Sequence, residues 1–310
     1  MADPLRTPLP PGTPPSPGVR DVVLDAGGIP LSGLLAEPPG APPRAVLVAL
    51  HGGGMRAGYF DSRACPGMSL MELGSALGCT VLALDRPGYG LSAAALPEGQ
   101  TLAEQTATVG KALTAFARSH PTGAGFFVVA HSNGGKLALS LAARDHGRAL
   151  LGLDISGLGQ RFAVDVPRLP CAESRGDWRR HWGSVRLYPP GAFAQGRGLV
   201  APVPSRESDE GPRWPLLYPG IAAGVRAPVR LTFAEQEQWW HHDDEAVAAM
   251  TGLLTASRVT VARQPDAGHN ISLGWAARAY HLKVLSHLED CLLARAAAPA
   301  VPAHRPPAGR

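Results

Sequence analysis

Short apolar runs alternate with longer helical patterns along most of the chain, and this alternation restricts the possible folds more than any other feature. The runs RAVLVAL (44–50), TVLALD (80–85) and GFFVVAH (125–131) are nearly continuous in aliphatic and aromatic residues. Such runs are typical of strands that are buried on both faces of a parallel sheet. Segments with helical periodicity separate them. The pattern predicts an α/β fold with a doubly wound, mostly parallel sheet.

The alternation is interrupted between residues 157 and 227, where the chain is rich in Pro, Gly, Trp and Arg. A structureless loop of that length is unusual inside a compact domain, so we expect an inserted lid or cap. The insertion would divide the α/β core into residues 19–156 and 228–295. The proline-rich ends, residues 1–18 and 296–310, predict disordered tails.

Composition argues against several classes of protein. The 310 residues carry a net charge of only +4 and contain no basic run, which disfavours a nucleic-acid partner. No apolar stretch reaches the roughly 18 residues of a membrane span, and the N-terminus lacks a secretory signal, so we expect a cytoplasmic location. Cys65, Cys79, Cys171 and Cys291 are widely spaced. This spacing favours reduced thiols over disulfides or a zinc site.

Glycine-rich and polar motifs follow four of the predicted strands. His51-Gly-Gly-Gly follows the run at 44–50, DRPGYGLS (85–92) follows the run at 80–85, and AHSNG (130–134) lies between a strand and a helix. DAGH (266–269) follows the last predicted strand. The carboxyl ends of parallel strands are where open α/β sheets bind their ligands. In this order and context, the motifs resemble those of the α/β-hydrolase fold superfamily over residues 20–294.

Ser132 is the candidate nucleophile that this resemblance implies. A serine on a sharp strand-to-helix turn needs small residues two positions away on either side, and Ala130 and Gly134 meet that requirement. Ala130 departs from the glycine that is usual in the family. The alternative is a serine that only caps the helix. The strand, the helix and the other motifs in their order favour the nucleophile.

The resemblance also implies a base and an acid that activate the serine. His269, on a glycine-containing loop after the last strand, is the candidate base. The acid should follow the strand at 228–233, where AEQEQWW departs from the usual Gly-Glu-x-Asp pattern. Matching position by position indicates Glu237 as the acid that orients the imidazole. Glu235 and Asp154 remain alternatives.

Two backbone N–H groups should form an oxyanion hole. Asn133, directly after the nucleophile, supplies one of them, and either Gly53 or Gly54 supplies the other, since a glycine amide can approach a substrate closely. We expect a roomy aromatic pocket for a bulky, apolar small molecule. Its candidate lining residues are Tyr89, Trp178, Trp182, Trp239 and Trp240.

These residues predict a serine hydrolase that cleaves a carboxylic ester or thioester through an acyl-enzyme, without a metal or an organic cofactor. His241 and His242 are expected at a solvated helix start rather than in a metal site. Two alternatives keep the same fold. In the first, His269 acts as a plain base in an elimination, lyase or cyclisation step on a natural-product intermediate. In the second, the chain is a non-catalytic binding protein.

Overall fold

The computed structural model of the chain describes residues 14–145, 150–169 and 178–297, apart from the side chains of Trp178 and Arg197. Eight strands form one sheet in the order β1-β2-β4-β3-β5-β6-β7-β8. The strands are β1 (Val19–Asp25), β2 (Pro30–Ala36), β3 (Val46–Leu50), β4 (Thr80–Leu84), β5 (Phe126–His131), β6 (Leu150–Ser156), β7 (Val229–Gln236) and β8 (Val259–Gly268). Strand β2 is antiparallel to β1 and β4, and all the other pairs are parallel. The prediction of a mostly parallel sheet is confirmed.

Eight α-helices accompany the sheet within the described ranges. They are α1 (Leu70–Ala76), α2 (Leu102–Ser119), α3 (Asn133–Arg144), α4 (Gly191–Leu199), α5 (Ser205–Glu210), α6 (Trp214–Ala222), α7 (Asp244–Thr251) and α8 (Ala277–Ala297). Helix α2 begins with a capping box, in which the Thr101 side chain and the Glu104 side chain each bond to the other residue's backbone N–H.

The sheet separates two hydrophobic clusters. Along β3, Val46, Val48 and Leu50 pack into the cluster that contains residues of α2 and α3. Leu47 and Ala49 face the other cluster, with residues of α1 and α8. Because successive strand residues point to opposite faces, a strand covered on both sides needs apolar residues at every position. This explains the continuous apolar run that the sequence shows at 44–50.

The segment between β6 and β7, called here the β6–β7 segment (residues 157–228), is largely helical where it is described. It contains α4, α5, α6 and several short 3₁₀ turns. Helix α6 packs against α3, and the N–H of Ala201 donates to the carbonyl of Gly54 at 2.9 Å. The β6–β7 segment therefore lies against the glycine loop after β3, at the carboxyl edge of the sheet.

The packed chain extends beyond both predicted boundaries of the core. Ser16 is buried, and its N–H donates to Oδ2 of Asp61 at 2.8 Å. At the other end, α8 continues to Ala297 rather than ending at residue 295. The rest of the predicted tails, 1–13 and 298–310, lies outside the described residues.

The sequence analysis also made predictions about membrane spans and about the four cysteines. In the part of the chain that the structure describes, no helix has both the length and the apolar character needed to cross a membrane. Cys65, Cys79 and Cys291 are free thiols, of which only Cys65 is half-buried rather than buried. Cys171 lies outside the described residues.

Candidate active site

Ser132 occupies a one-residue turn between a strand and a helix. Strand β5 ends at His131 and α3 begins at Asn133. Ser132 has φ 52° and ψ −120°, a conformation that non-glycine residues adopt only at a cost and that is often found at functional sites. Its N–H donates to the carbonyl of Ser156 at 2.9 Å. Its side chain makes no capping bond to the helix, so the capping alternative does not describe this serine.

Close backbone packing explains why the turn needs a small residue at position 134. A Cβ on Gly134 would lie 2.2 Å from the carbonyl oxygen of Leu50 and 2.6 Å from that of His51. Both contacts are with backbone, which cannot move aside as a flexible side chain can. The glycine therefore lets α3 start directly against the end of β3.

His269 and Glu237 form a buried pair. Nδ1 of His269 lies 2.7 Å from Oε2 of Glu237, and both side chains are almost fully buried. The other carboxylate oxygen, Oε1, accepts from the N–H groups of Gln238 at 3.0 Å and Trp239 at 2.9 Å. With both oxygens accepting, the hydrogen bond to His269 is donated by Nδ1–H. This leaves Nε2 as the nitrogen that can accept a proton.

This pair lies beside the serine turn. The rings of His269 and His131, the residue before Ser132, have centroids 4.6 Å apart. Gly157, with φ +62°, fits against both rings, and a Cβ there would lie 3.0 Å from Cε1 of His269. In the described part of the chain, the Ser132 hydroxyl makes no hydrogen bond to His269. Catalytic hydrogen bonds are often long without substrate and shorten when it binds.

The two alternative acids have other partners. Glu235 is exposed, and its Oε2 accepts from the N–H of Asp266 at 2.7 Å. Asp154 is fully buried, with Oδ2 2.7 Å from Nε of Arg230 and Oδ1 accepting from the hydroxyl of Tyr280 at 3.1 Å. Burial raises the pKa of Asp154 to about 6, against the opposing charge of Arg230. Of the three candidate acids, Glu237 is the one brought to His269.

The two glycine candidates for the oxyanion hole differ in what their N–H groups do. The N–H of Gly54 donates to the hydroxyl of Tyr89 at 3.1 Å. The N–H of Gly53 makes no hydrogen bond to another described residue. Asn133 is the first residue of α3, where a backbone N–H has no partner within the helix. Gly53 and Asn133 thus have N–H groups free to bind an oxyanion, whereas that of Gly54 is already used.

A cavity opens beside Ser132 and encloses about 550 Å³, counting the part open to solvent. Trp239 and Trp240, two of the candidate pocket residues, line this cavity. Phe162 also lines it and stacks on Trp240, with ring centroids 4.3 Å apart. The wall next to the serine is therefore largely aromatic.

The chain matches a known family over most of its length. The family model described as the alpha/beta hydrolase family matches residues 46–280. The chain belongs to the alpha/beta hydrolase family. No curated protein matches it significantly.

Solved structures of this hydrolase fold cover nearly the whole chain at low identity. An esterase, Rv0045c from Mycobacterium tuberculosis, is 19% identical, with a TM-score of 0.57 over 88% of this chain and 92% of that one. Proline iminopeptidase from Mycobacterium smegmatis is 17% identical, with a TM-score of 0.62 over 89% and 99%. The thioesterase domain from the curacin biosynthetic pathway is 15% identical, with a TM-score of 0.59 over 86% and 99%. At these identities the likeness shows the fold alone.

Two of the predicted pocket residues, Trp182 and Tyr89, are not in the described wall of the cavity. Trp182 packs against Tyr188 and Phe193 at centroid distances of 5.2 and 5.0 Å, next to the core cluster that contains α1 and α8. Tyr89 is fully buried behind the glycine loop. The side chain of Trp178 lies outside the described residues. The β6–β7 segment contains no regular hydrophobic period, so its sequence could not indicate which aromatic residues face the cavity.

A buried ion pair that the sequence analysis missed joins the β6–β7 segment to the site. Glu207, on α5, pairs with both terminal nitrogens of Arg86 at 2.8 and 2.9 Å. Its Oε1 also accepts from Nδ2 of Asn133 at 2.8 Å. Burial is the strongest single influence and acts to raise the pKa of Glu207, but the charge of Arg86 and the hydrogen bonds from Arg86 and Asn133 together outweigh it and lower that pKa to about 2. Arg86 lies in DRPGYGLS, but its partner is far away in sequence, so no local pattern could reveal the pair.

His181 is a second residue that the sequence analysis missed. It lies in a 3₁₀ turn of the β6–β7 segment and lines the cavity. Its ring centroid is 4.7 Å from that of Trp239 and 5.5 Å from that of His269. Burial lowers the pKa of His181 to about 3, helped by the nearby His269. His181 therefore contributes a neutral ring to the wall near the proposed base.

Proposed function

We propose that this chain is a serine hydrolase that cleaves a carboxylic ester or thioester of a bulky, largely apolar small molecule through an acyl-enzyme. The observation that carries the proposal is the buried 2.7 Å contact between His269 and Glu237 beside the strained Ser132. A serine hydroxyl becomes an effective nucleophile when a neighbouring base accepts its proton. A carboxylate on the far side of that base orients it and stabilises its cationic form.

In the proposed reaction, Ser132 attacks the carbonyl carbon while Nε2 of His269 takes the hydroxyl proton. Glu237 holds Nδ1–H and stabilises the imidazolium. The N–H groups of Asn133 and Gly53 bind the oxyanion, and the amino end of α3 favours the same negative charge. His269 then returns the proton to the leaving group, and it activates a water that releases the acid and regenerates Ser132.

The substrate class rests on the cavity and on the family. The aromatic wall of Phe162, Trp239 and Trp240 suits a bulky apolar group. The structural neighbours include proteins described as an esterase and as a thioesterase domain, which supports an oxygen or sulfur leaving group. We further propose that the β6–β7 segment acts as the lid, because it contributes His181 and Glu207 to the cavity wall.

Labelling with a fluorophosphonate tests this proposal, because the probe reacts with activated serines. The folded protein is incubated with the probe, its intact mass is measured, and the adduct is located by peptide mapping. We expect one adduct on Ser132 that is absent from Ser132→Ala. The variant His269→Ala should be labelled far more slowly, although Ser132 is still present.

A lack of labelling on Ser132 in the folded protein would contradict the hydrolase proposal. The missing hydrogen bond between Ser132 and His269 favours one alternative, in which His269 acts as a base in elimination or cyclisation without a covalent intermediate. In that case Ser132→Ala would keep most of the turnover and His269→Ala would lose it. If neither substitution changed the rate of any reaction, a non-catalytic binding role would replace both the hydrolase proposal and the elimination alternative.

A further inference from the structure

Lys136 is a buried cation in the wall of the cavity. It lies on α3 one turn after Ser132, is 8% exposed and lines the same cavity as that serine. Its ammonium nitrogen lies 5.6 Å from the ring centroids of Phe162, Trp214 and Trp240. Three aromatic rings thus surround the ammonium within cation–π distance.

No carboxylate of the described residues pairs with this ammonium. Among the described residues, Lys136 forms neither an ion pair nor a hydrogen bond. Two acids act on Lys136 through their charge. Glu207 is bound to Arg86, and Oε2 of Glu210 accepts from the N–H of Leu102 at 2.6 Å. Burial lowers the pKa of Lys136 to about 8, with Glu207 and Glu210 raising it and Arg86 lowering it.

A buried charge without an anionic partner is costly to a fold. Lysine also has a long side chain that usually takes its ammonium to the surface, yet here the nitrogen stays among rings at the cavity. Ionisable groups kept in such positions are candidates for function. A molecule that enters the cavity can supply the anionic partner that Lys136 lacks among the described residues.

We propose that Lys136 binds a carboxylate of the substrate whose ester or thioester bond Ser132 attacks. The proposal rests on the hydrolase function proposed above. Ser132 directly precedes α3, Lys136 lies in the first turns of that helix, and both side chains line one cavity, so a single bound molecule can present its carbonyl to Ser132 and its carboxylate to Lys136. A single ammonium between aromatic rings matches one carboxylate with an apolar chain better than a doubly charged phosphate.

Matched substrates test this inference. One pair differs on the acyl side: para-nitrophenyl hexanoate and the mono-para-nitrophenyl ester of adipic acid, which has a carboxylate in place of the terminal methyl. The other pair differs on the leaving side: para-methylphenyl acetate and para-acetoxybenzoate. For each pair, the ratio of kcat/KM for the anionic to the neutral ester is measured in the wild type and in Lys136→Met. Comparing the ratios in the two proteins cancels the intrinsic reactivities of the esters.

We expect the ratio for at least one pair to fall by roughly ten- to hundredfold in Lys136→Met, as for loss of a hydrogen bond to a charged group. The pair that responds identifies which side of the substrate carries the carboxylate. In the wild type, the preference should also decline as the pH rises through about 8, where Lys136 loses its proton. Lys111→Met, which removes an exposed lysine of α2, should leave the ratios unchanged.

Ratios that are the same in wild type and Lys136→Met for both pairs would overturn the inference. The neutral fluorophosphonate separates this failure from failure of the hydrolase proposal: labelling of Ser132 in both proteins would mean that only the role of Lys136 is wrong. If the labelled protein hydrolyses none of the four esters, adipate is tested for protection of Ser132 from the probe. Protection in the wild type but not in Lys136→Met supports the inference, and equal protection rejects it.

Discussion

At the residue scale, two buried acids near the sheet edge have different surroundings. Glu237 accepts hydrogen bonds from His269 and from two backbone N–H groups of its own turn. Asp154 is paired with Arg230 and bonded to Tyr280, deep under α8. Both are buried carboxyls on the carboxyl half of the sheet, so burial alone does not distinguish a catalytic acid from a structural one. The partner does.

Substituting each acid by its amide should separate these roles. Glu237→Gln should lower kcat by about three to four orders of magnitude, since an amide does not stabilise the imidazolium and can favour the wrong tautomer. Asp154→Asn should instead cost about 3–5 kcal/mol of unfolding free energy, because it leaves the Arg230 charge buried without a partner. Ester hydrolysis and urea unfolding are measured for both variants. A folded Asp154→Asn protein without activity would reassign the acid.

At the element scale, α5 is fixed to the site by one side chain. Glu207 reaches Arg86 in the loop after β4 and Asn133 at the start of α3. Its neighbour Arg206 instead pairs with Glu104 at the surface, where both side chains are more than 40% exposed. Adjacent residues of one short helix therefore make one buried and one exposed ion pair.

These two residues provide a matched pair of variants. Glu207→Gln should reduce the unfolding free energy by about 3–5 kcal/mol, because Arg86 stays buried without its partner. It should also slow labelling of Ser132 by a fluorophosphonate, since a neutral amide then replaces the carboxylate that accepts from Asn133 next to the nucleophile. Arg206→Gln should cost less than about 1 kcal/mol and leave labelling unchanged. Equal losses of stability in the two variants would show that the buried pair does not anchor α5.

At the scale of the whole molecule, two hydrophobic clusters enclose the sheet, and charged side chains meet at its carboxyl edge. Lys136 is a buried charge at this edge that lacks an anionic partner among the described residues. Burial depresses its pKa from 10.5 to about 8. Below about pH 8 the folded state therefore bears the full cost of an unpaired buried charge.

Lys136→Met should consequently stabilise the protein while removing its preference for anionic esters. We expect a gain of about 1–3 kcal/mol near pH 7, from a pKa shift of this size and the loss of a buried charge. Between about pH 8 and 10.5 the unfolded lysine holds its proton and the folded one does not, so the unfolded state binds more protons. Over this range Lys136 makes the stability of the wild type rise with pH.

The measurement is urea unfolding of wild type and Lys136→Met at several pH values. The difference between the two proteins cancels the other groups that titrate in this range. The stability advantage of the variant should shrink from pH 7 towards pH 10. A variant that is less stable than the wild type at neutral pH would show that the aromatic rings compensate the charge fully, and that Lys136 is a structural residue.

The sequence by itself determined the sheet and the strand-to-helix turn at Ser132, because these follow from local properties, whereas the choice of His269 depended on the resemblance to the family. Strand and helix periods repeat within a few residues, and a serine between a strand and a helix, with glycine two positions on, constrains its own backbone. The family pattern also indicates Glu237, but only the contact with His269 distinguishes it from Glu235 and Asp154.

Only the tertiary structure decided which groups face the site. Gly53 differs from Gly54 because Tyr89, far along the chain, takes the N–H of Gly54. The environment of Lys136 combines two rings from within the β6–β7 segment, Phe162 and Trp214, with Trp240, which follows β7. These contacts join residues that are distant in sequence. They depend on how the β6–β7 segment, which has no regular hydrophobic periodicity, packs on the sheet. Hydrogen bonding and burial are properties of that packing, and no local pattern of residue types encodes them.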